Sequence, residues 1–451
     1  MLLLLSVGLL AQTPAFPSTP KGDFARRYVE AFNAGEPAMK AFLDTLPPGA
    51  PPVADRLARY RQIRTDLGPI VPTAPPTEVA DGVEMRCLDR QGQPLRLTVV
   101  ITGPAPLQLG GLRAEPADQP REAPAPTGPP IDERTMLEQV GALVDARVAA
   151  DAFSGTVLLA HGNRLVWQGA YGLADRDTKR PVTIDTRFDV GSIAKLFTRI
   201  AIAQLAEAGR VHLDDTVGRF LPAYPNATVR DTVTIAQLLD MRSGLGDFFG
   251  PNFQATDRSH IRSLQDYLPL FVNEPLLFAP GAKEAYSNAG YIVLGLVIEA
   301  ISHQSYYDYV ETHIFQPAGM RATAFGFRDR PAPNTAVGYS KRNPAASGGW
   351  ASNLEMMPAR GSSAGSFQST APDFQRFVEA LAAGTVLSAD AARRLDIHPR
   401  ALGIAGGAPG LNAELDSGLG TGYTLVVLSN QDPPSAEDLA RQIRALLRRT
   451  Q

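Results

Sequence analysis

The stretch Phe188-Asp189-Val190-Gly191-Ser192-Ile193-Ala194-Lys195-Leu196-Phe197-Thr198-Arg199-Ile200-Ala201-Ile202-Ala203-Gln204-Leu205 decides how this chain is read. It opens as an extended segment that gives way at Gly191, then becomes an apolar run at helical spacing that continues to Ala208. Ser192 therefore starts a helix, and Lys195 lies one turn on, on the same face. A serine hydroxyl is a poor nucleophile until a base takes its proton. Lysine can be that base only if its pKa falls well below its ordinary value of about 10.4. Burial and the positive end of a helix dipole both push it down. As a bare string, Ser-x-x-Lys carries little weight. A second copy, Ser18-Thr19-Pro20-Lys21, lies in a Pro-rich stretch where no helix is expected to follow.

A second segment, Tyr286-Ser287-Asn288, sits inside Phe278 to Tyr291. A tyrosinate beside an ammonium is a credible general base, because each charge favours the other's ionised form. An asparagine amide can hold a substrate carbonyl. Taken alone, Tyr286 reads equally well as a turn residue. The similar string Tyr224-Pro225-Asn226 lies in a Pro-rich loop and reads as a turn.

Outward from these segments, the chain reads as two folded units, as its 451 residues would suggest. Residues 22–117 form a small α+β N-terminal domain: helical patterns from Phe24 to Phe32 and Arg56 to Leu67, then strands at Gly82 to Leu88, Leu95 to Ile101 and near Leu107 to Leu112. Arg90-Gln91-Gly92 is a turn signal between the first two strands. This unit shows no catalytic constellation and reads as a packing or spacer module. Residues 118–131 are Pro- and Ala-rich and read as a linker. Residues 132–451 open with a helix at Thr135 to Ala150 and strands at Gly155 to Ala160 and Arg164 to Gly169. A mainly helical middle follows. Strand signal returns at Gly410 to Leu415 and Tyr423 to Leu428, and a last helix begins at Ser435, read as capped by Ser435 itself. Strands at both ends and helices between them imply one mostly antiparallel sheet flanked by helices, an α+β fold.

Composition narrows the function classes. A net charge of −3 leaves no electrostatic footprint for nucleic acid. The single cysteine, Cys87, rules out an intramolecular disulfide and a Cys-based zinc site. The six histidines are scattered singly, so no metal and no cofactor is expected. Leu2 to Leu10 is too short an apolar run to span a bilayer. Residues 1–15 read as a signal peptide, although no Lys or Arg precedes the run, so an exported, periplasmic or extracellular protein without a transmembrane span is expected. The expected partner is a small-molecule or peptide substrate.

The two catalytic segments and their surroundings resemble the serine β-lactamase and penicillin-binding-protein-like superfamily. Within it, the likeness is to class C β-lactamase-like hydrolases, a group with esterases and D-Ala-D-Ala carboxypeptidases. It runs through Phe188 to Thr198, Leu205 to Val217, Ser243-Gly244-Leu245, Phe278 to Tyr291, Ile314 to Met320, Ser369 to Asp373 and Gly406 to Gly410, covering the second unit only. The resemblance implies that Ser192 is acylated and that Lys195 takes or relays its proton. It also implies that Tyr286 acts as base or acid and that Asn288 positions substrate. Its third element, a Lys-Thr-Gly or His-x-Gly strand, falls on Ile404-Ala405-Gly406-Gly407, so Gly406 and Gly407 would bind substrate. The backbone N–H groups of Ser192 and Gly407 would form the oxyanion hole.

This sequence departs from that pattern in the third element. Ile404 replaces the cation, and no lysine follows Lys341. His398 would lie about 20 Å from Ile404 along an extended strand. The segment between Phe374 and Gly403 is short, as if a strand before the third element were missing, and Met241 stands where histidine is common. Two readings follow. The first is a serine hydrolase that forms an acyl-enzyme on Ser192 with esters, amides or lactams. The second is a catalytically impaired pseudoenzyme of the same fold, serving as a binding or regulatory protein.

Overall fold

The computed structural model describes residues 15–46, 53–79, 82–88, 94–102, 107–116, 129–346, 349–418 and 420–450. The leader, the turn at 90–92 and most of the linker lie outside these. The chain divides into two compact units, residues 1–117 and 118–451.

The first unit has three helices, Pro20–Ala34, Glu36–Asp44 and Val53–Leu67, followed by four strands, Thr77–Val79, Gly82–Leu88, Pro94–Thr102 and Gln108–Pro116. The strands form one antiparallel meander in sequence order. The helix at 36–44 and the short strand at 77–79 are additions to the sequence reading. Alternation along the strands sends Val83, Met85, Cys87, Leu97 and Val99 to one face, where they pack with Phe24, Tyr28 and Phe32 of the first helix. Cys87 is buried there, and burial pushes its thiol up to about 12. The decoy Ser18-x-x-Lys21 does precede a helix, contrary to expectation. Thr19 caps that helix by accepting from Gly22 N at 3.0 Å, while Ser18 stands exposed at the surface.

In the second unit five strands form one antiparallel sheet in the order Gly403–Ala408, Leu411–Gly418, Tyr423–Ser429, Gly155–His161, Arg164–Tyr171. N- and C-terminal strands are thus neighbours, with Leu425 opposite Leu159. Helices cover both faces. On one lie Glu133–Ala149 and Ser435–Leu447, packed on Val157, Leu159, Leu425 and Val427. On the other lies the helix that follows Ser192, Ala194–Glu207, with Leu158, Ala413, Leu415, Val426 and Leu428 in its core. That helix is apolar on most sides and is buried accordingly; Phe197 touches Phe315, Phe367 and Phe377. Between residues 383 and 402 there is a helix, Ala389–Arg394, and no strand, so the third-element strand is the sheet edge.

The C-terminal helix is capped differently from the sequence reading. Ser435 sits inside its first turn and bonds Ser429 Oγ at 2.9 Å. The free N–H groups of Ala436 and Glu437 are instead taken by Asn412 Oδ1, at 2.7 and 3.1 Å. Asn412, Glu414 and Asp416 share one face of the strand Leu411–Gly418, and that face lies under this helix. Arg444 Nη1 donates to Glu414 at 2.6 Å and to Asp416 at 2.5 Å. Tyr224-Pro225-Asn226 resolves as a buried ring and a helix cap, with Asn226 Oδ1 accepting from Val229 N.

Candidate active site

Ser192 lies in a single tight turn, Gly191–Ile193, that feeds the helix Ala194–Glu207. Gly191 has φ +52°, a left-handed conformation that side chains resist, and a Cβ there would stand 2.9 Å from Gly407 N. The edge strand approaches the same turn. A Cβ on Gly406 would stand 2.1 Å from Val190 O and 2.8 Å from Ser192 N. Glycine at both places therefore lets the third element close against the Ser192 turn, bringing the backbone of Gly407 beside that of Ser192. Asn412 Nδ2 donates to Gly406 O at 3.1 Å, holding the Gly406–Gly407 peptide from behind.

Lys195 is buried, and its Nζ donates to Ser192 Oγ at 3.1 Å, Asn288 Oδ1 at 2.7 Å and Ala364 O at 2.5 Å. Ser192 Oγ and Tyr286 OH are 2.7 Å apart. Ser192 is half-buried and thus reachable from the cleft. The ammonium also stands 4.6 Å from the centre of the Tyr286 ring. Tyr286 and Asn288 flank Ser287, which caps the helix Asn288–Ser302 by accepting from Gly290 N at 2.9 Å. That cap explains the spacing of the motif, because its two neighbours both turn toward Lys195. The predicted residues Ser192, Lys195, Tyr286, Asn288, Gly406 and Gly407 therefore meet at one place.

Two partners of the site went unread in the sequence. Asp247 accepts from Asn288 Nδ2 at 2.6 Å and from Phe249 N at 3.0 Å. Packing around its carboxyl pushes the pKa of Asp247 above the ordinary carboxylate range, while these bonds and the charge of Lys195 pull against that shift. It lies just past Ser243-Gly244-Leu245, but a lone acid in a loop carries no pattern. The carbonyl of Ala364 left only an indirect signal, the small-residue run Gly361 to Gly365, which permits close backbone approach.

The cleft in front of Ser192 has a volume of about 340 Å3. Leu196, Met241, Tyr291, Ile397, Leu402 and Ile404 make an apolar wall. Ile404 faces this cleft, as the missing cation would have done. The expected 20 Å separation of His398 does not hold. Residues 398–401 turn back, with Ala401 N donating to His398 O at 2.9 Å, so His398 and Ile404 line one cleft. His398 is itself paired with Asp396 at 2.7 Å. Arg199, also at the cleft, donates to Leu395 O at 2.8 Å and Leu239 O at 3.1 Å, and faces Asp240. Each of these side chains thus stands beside a carboxylate. Among the described residues no group of three or more His, Cys, Asp or Glu is placed to hold a metal.

A family model described as Beta-lactamase matches residues 140–448. Among curated proteins, Penicillin-binding protein 4* of Bacillus subtilis (strain 168) is 39% identical over 173 residues, 38% of each chain. The match thus spans well under half the length of that relative. Among solved structures, a penicillin binding protein from Bacillus halodurans superposes with a TM-score of 0.60 at 31% identity, covering 67% of this chain and 99% of that one. A D-stereospecific amidohydrolase from Streptomyces sp. superposes with a TM-score of 0.55 at 27% identity, covering 70% and 98%. No helix among the described residues is long and apolar enough to cross a membrane.

Proposed function

The chain belongs to the beta-lactamase family, whose members are serine hydrolases, and from that premise we propose that it forms an acyl-enzyme on Ser192 and favours neutral esters with apolar groups. The observation that carries this reading is the contact of Ser192 Oγ with both Tyr286 OH and Lys195 Nζ, at 2.7 and 3.1 Å, at a helix start. In acylation Lys195 acts as the free amine, its two N–H groups on Asn288 Oδ1 and Ala364 O and its lone pair toward Ser192; the Ser192 Oγ proton passes to that nitrogen, directly or by way of Tyr286, as Oγ bonds to the carbonyl carbon. The negative oxygen that forms is met by the backbone N–H groups of Ser192 and Gly407. The bond to the leaving alkoxide then breaks, and Tyr286 gives it a proton that Lys195 replaces, which restores the amine. Water repeats the sequence on the acyl-enzyme, releasing a carboxylic acid and restoring Ser192.

Substrate preference follows from the wall of the cleft. Ile404 offers no charge to a substrate carboxylate, and His398 and Arg199 are each matched by an acid. An apolar acyl or alkyl group gains by burial against Leu196, Met241 and Ile404. Penicillins and peptides ending in D-Ala, which carry a carboxylate, should be poor substrates.

A fluorophosphonate probe tests the first half of the reading. It should label the wild type and leave Ser192→Ala unlabelled. Failure to label folded wild type at any pH would favour the pseudoenzyme, for which the loss of the third-element cation speaks. Label retained in Ser192→Ala would move the nucleophile elsewhere.

A further inference from the structure

Met241 holds the main chain on both sides of Tyr286. Its carbonyl accepts from Ala285 N at 2.8 Å, and its sulfur accepts from Ser287 N at 3.3 Å. The second bond fills a gap that the sequence leaves. In a capping box, the side chain three residues past the cap reaches back to the N–H of the cap residue. Here the cap is Ser287, and the residue at that place is Gly290, which has no side chain. The Ser287 N–H, inside the Tyr286–Asn288 motif, is met by the thioether of Met241 instead.

The backbone at Met241 is shaped for this grip. Met241 has φ +56°, a left-handed conformation that a residue with a side chain keeps only where its surroundings enforce it. The segments on either side run together. Gly281 N donates to Arg242 O at 2.8 Å, Leu277 N to Gly244 O at 2.8 Å, and Ser287 Oγ to Gly246 O at 2.8 Å. Of these ties only the one at Met241 uses sulfur. That sulfur belongs to a half-buried side chain lining the cleft in front of Ser192. Among the described methionines, Met39, Met85, Met136, Met320 and Met357 are buried. Met356 alone of them shares the partial exposure of Met241, and it does not line that cleft.

We propose that Met241 is the positioning residue of Tyr286 and that its thioether is a modification site for peroxides, at which oxidation draws Tyr286 away from Ser192. The effect on activity rests on the reading that Tyr286 passes the proton in acylation. In the modification a sulfur lone pair attacks one oxygen of hydrogen peroxide. The O–O bond breaks, an S–O bond forms and the other oxygen leaves as water, so that sulfur is oxidised and peroxide reduced. An N–H···O bond alone takes about 2.9 Å, so the new oxygen cannot lodge between Ser287 N and a sulfur 3.3 Å away. The sulfoxide sulfur keeps one lone pair and carries partial positive charge, which makes it a poor acceptor. The Ser287 peptide must then shift, and Tyr286 OH, 2.7 Å from Ser192 Oγ, shifts with it.

The test uses the full-length chain with 3-fluorotyrosine installed at Tyr286 and read by fluorine NMR, so that the ring is followed whether or not the protein turns over. Hydrogen peroxide, at a dose where mass spectrometry finds one added oxygen on the peptide carrying Met241, should move the fluorine resonance. Methionine sulfoxide reductases A and B with dithiothreitol should bring it back. Met241→Leu, which keeps the volume and removes the acceptor, should show a moved resonance without peroxide. Met241→Gln, whose amide oxygen can accept from Ser287 N, should keep it near the wild-type position, and neither variant should respond to peroxide. With an activated acetate ester, kcat should fall about tenfold on oxidation or in Met241→Leu, and Met241→Gln should regain at least half of that loss. Oxidation of the wild-type chain keeps the test decisive if Met241→Leu does not fold. A resonance unmoved by oxidation of Met241, the same displacement in Met241→Gln as in folded Met241→Leu, oxygen added to Met356 while Met241 stays intact, or an active protein whose kcat ignores the oxidation would each overturn the assignment. A resonance that moves in a wild type that no fluorophosphonate labels would instead refute acylation at Ser192 and support the grip of Met241 on Tyr286.

Discussion

Asp247 shows how one residue can govern a site it does not enter. It fixes the Asn288 amide from one side while Lys195 holds the other, so its charge is felt through a single hydrogen-bonded link. A negative group near Lys195 favours the ammonium over the amine. Asp247→Asn keeps the shape and removes the charge. The acid limb of the kcat/KM profile for an activated ester should therefore move to lower pH, by about one unit. A profile displaced upward, or one lowered in height with unmoved limbs, would refute the electrostatic role. Ile404 makes a separate case at the same scale. Ile404→His should raise activity toward a penicillin or a D-Ala-terminated peptide more than toward a neutral butyrate ester, because only the former has a carboxylate to attract. Equal change in both classes would mean that Ile404 is not what sets the preference.

Among the elements, the strand Leu411–Gly418 joins the site to the rest of the fold. Its apolar face, Leu411, Ala413 and Leu415, is buried on the side of the helix Ala194–Glu207; its polar face carries Asn412, Glu414 and Asp416 beneath the C-terminal helix. Asn412 at once caps that helix and tethers Gly406. Asn412→Ala should cost about 1–3 kcal/mol of stability, the usual cost of leaving buried N–H groups unsatisfied. It should also slow acylation, because Gly407 loses its support; urea unfolding and a stopped-flow burst measure the two effects. Further along the strand, one guanidinium serves two buried carboxyls. Burial and the neighbouring Asp416 raise the pKa of Glu414 well above the ordinary carboxylate range, and burial raises that of Asp416. The folded protein therefore holds a proton that the unfolded chain releases, so stability falls as pH rises from the ordinary carboxylate range through the raised pKa. Glu414→Gln should flatten that slope in a plot of urea midpoint against pH. A midpoint in wild type that rises across this window would contradict it.

At the scale of the whole molecule, each unit has its own core, one built on the four-stranded meander and one on the five-stranded sheet. The Pro- and Ala-rich residues 118–131 lack the apolar periodicity needed to continue either core. Cleavage at an engineered protease site within 118–128 should leave two fragments that each unfold cooperatively, read by circular dichroism. The larger should retain ester hydrolysis. Loss of a cooperative transition in either fragment would show that the units depend on one another.

The sequence by itself determined the local features: the helix start at Ser192, the Tyr286–Asn288 spacing, the strands at both ends of the second unit and the loss of charge at Ile404. Each is a matter of neighbours along the chain, where helical and strand periods and caps act over a few residues. Tertiary structure alone decided which distant groups meet. Asp247 and Ala364 O reach Lys195 and its partner Asn288 because loops far apart in sequence pack against one helix start. His398 reaches the cleft because its segment turns back, where an extended reading had kept it away. Asn412, not Ser435, caps the last helix because antiparallel pairing lays the strand Leu411–Gly418 beneath it, and the shorter route along the chain is left unused.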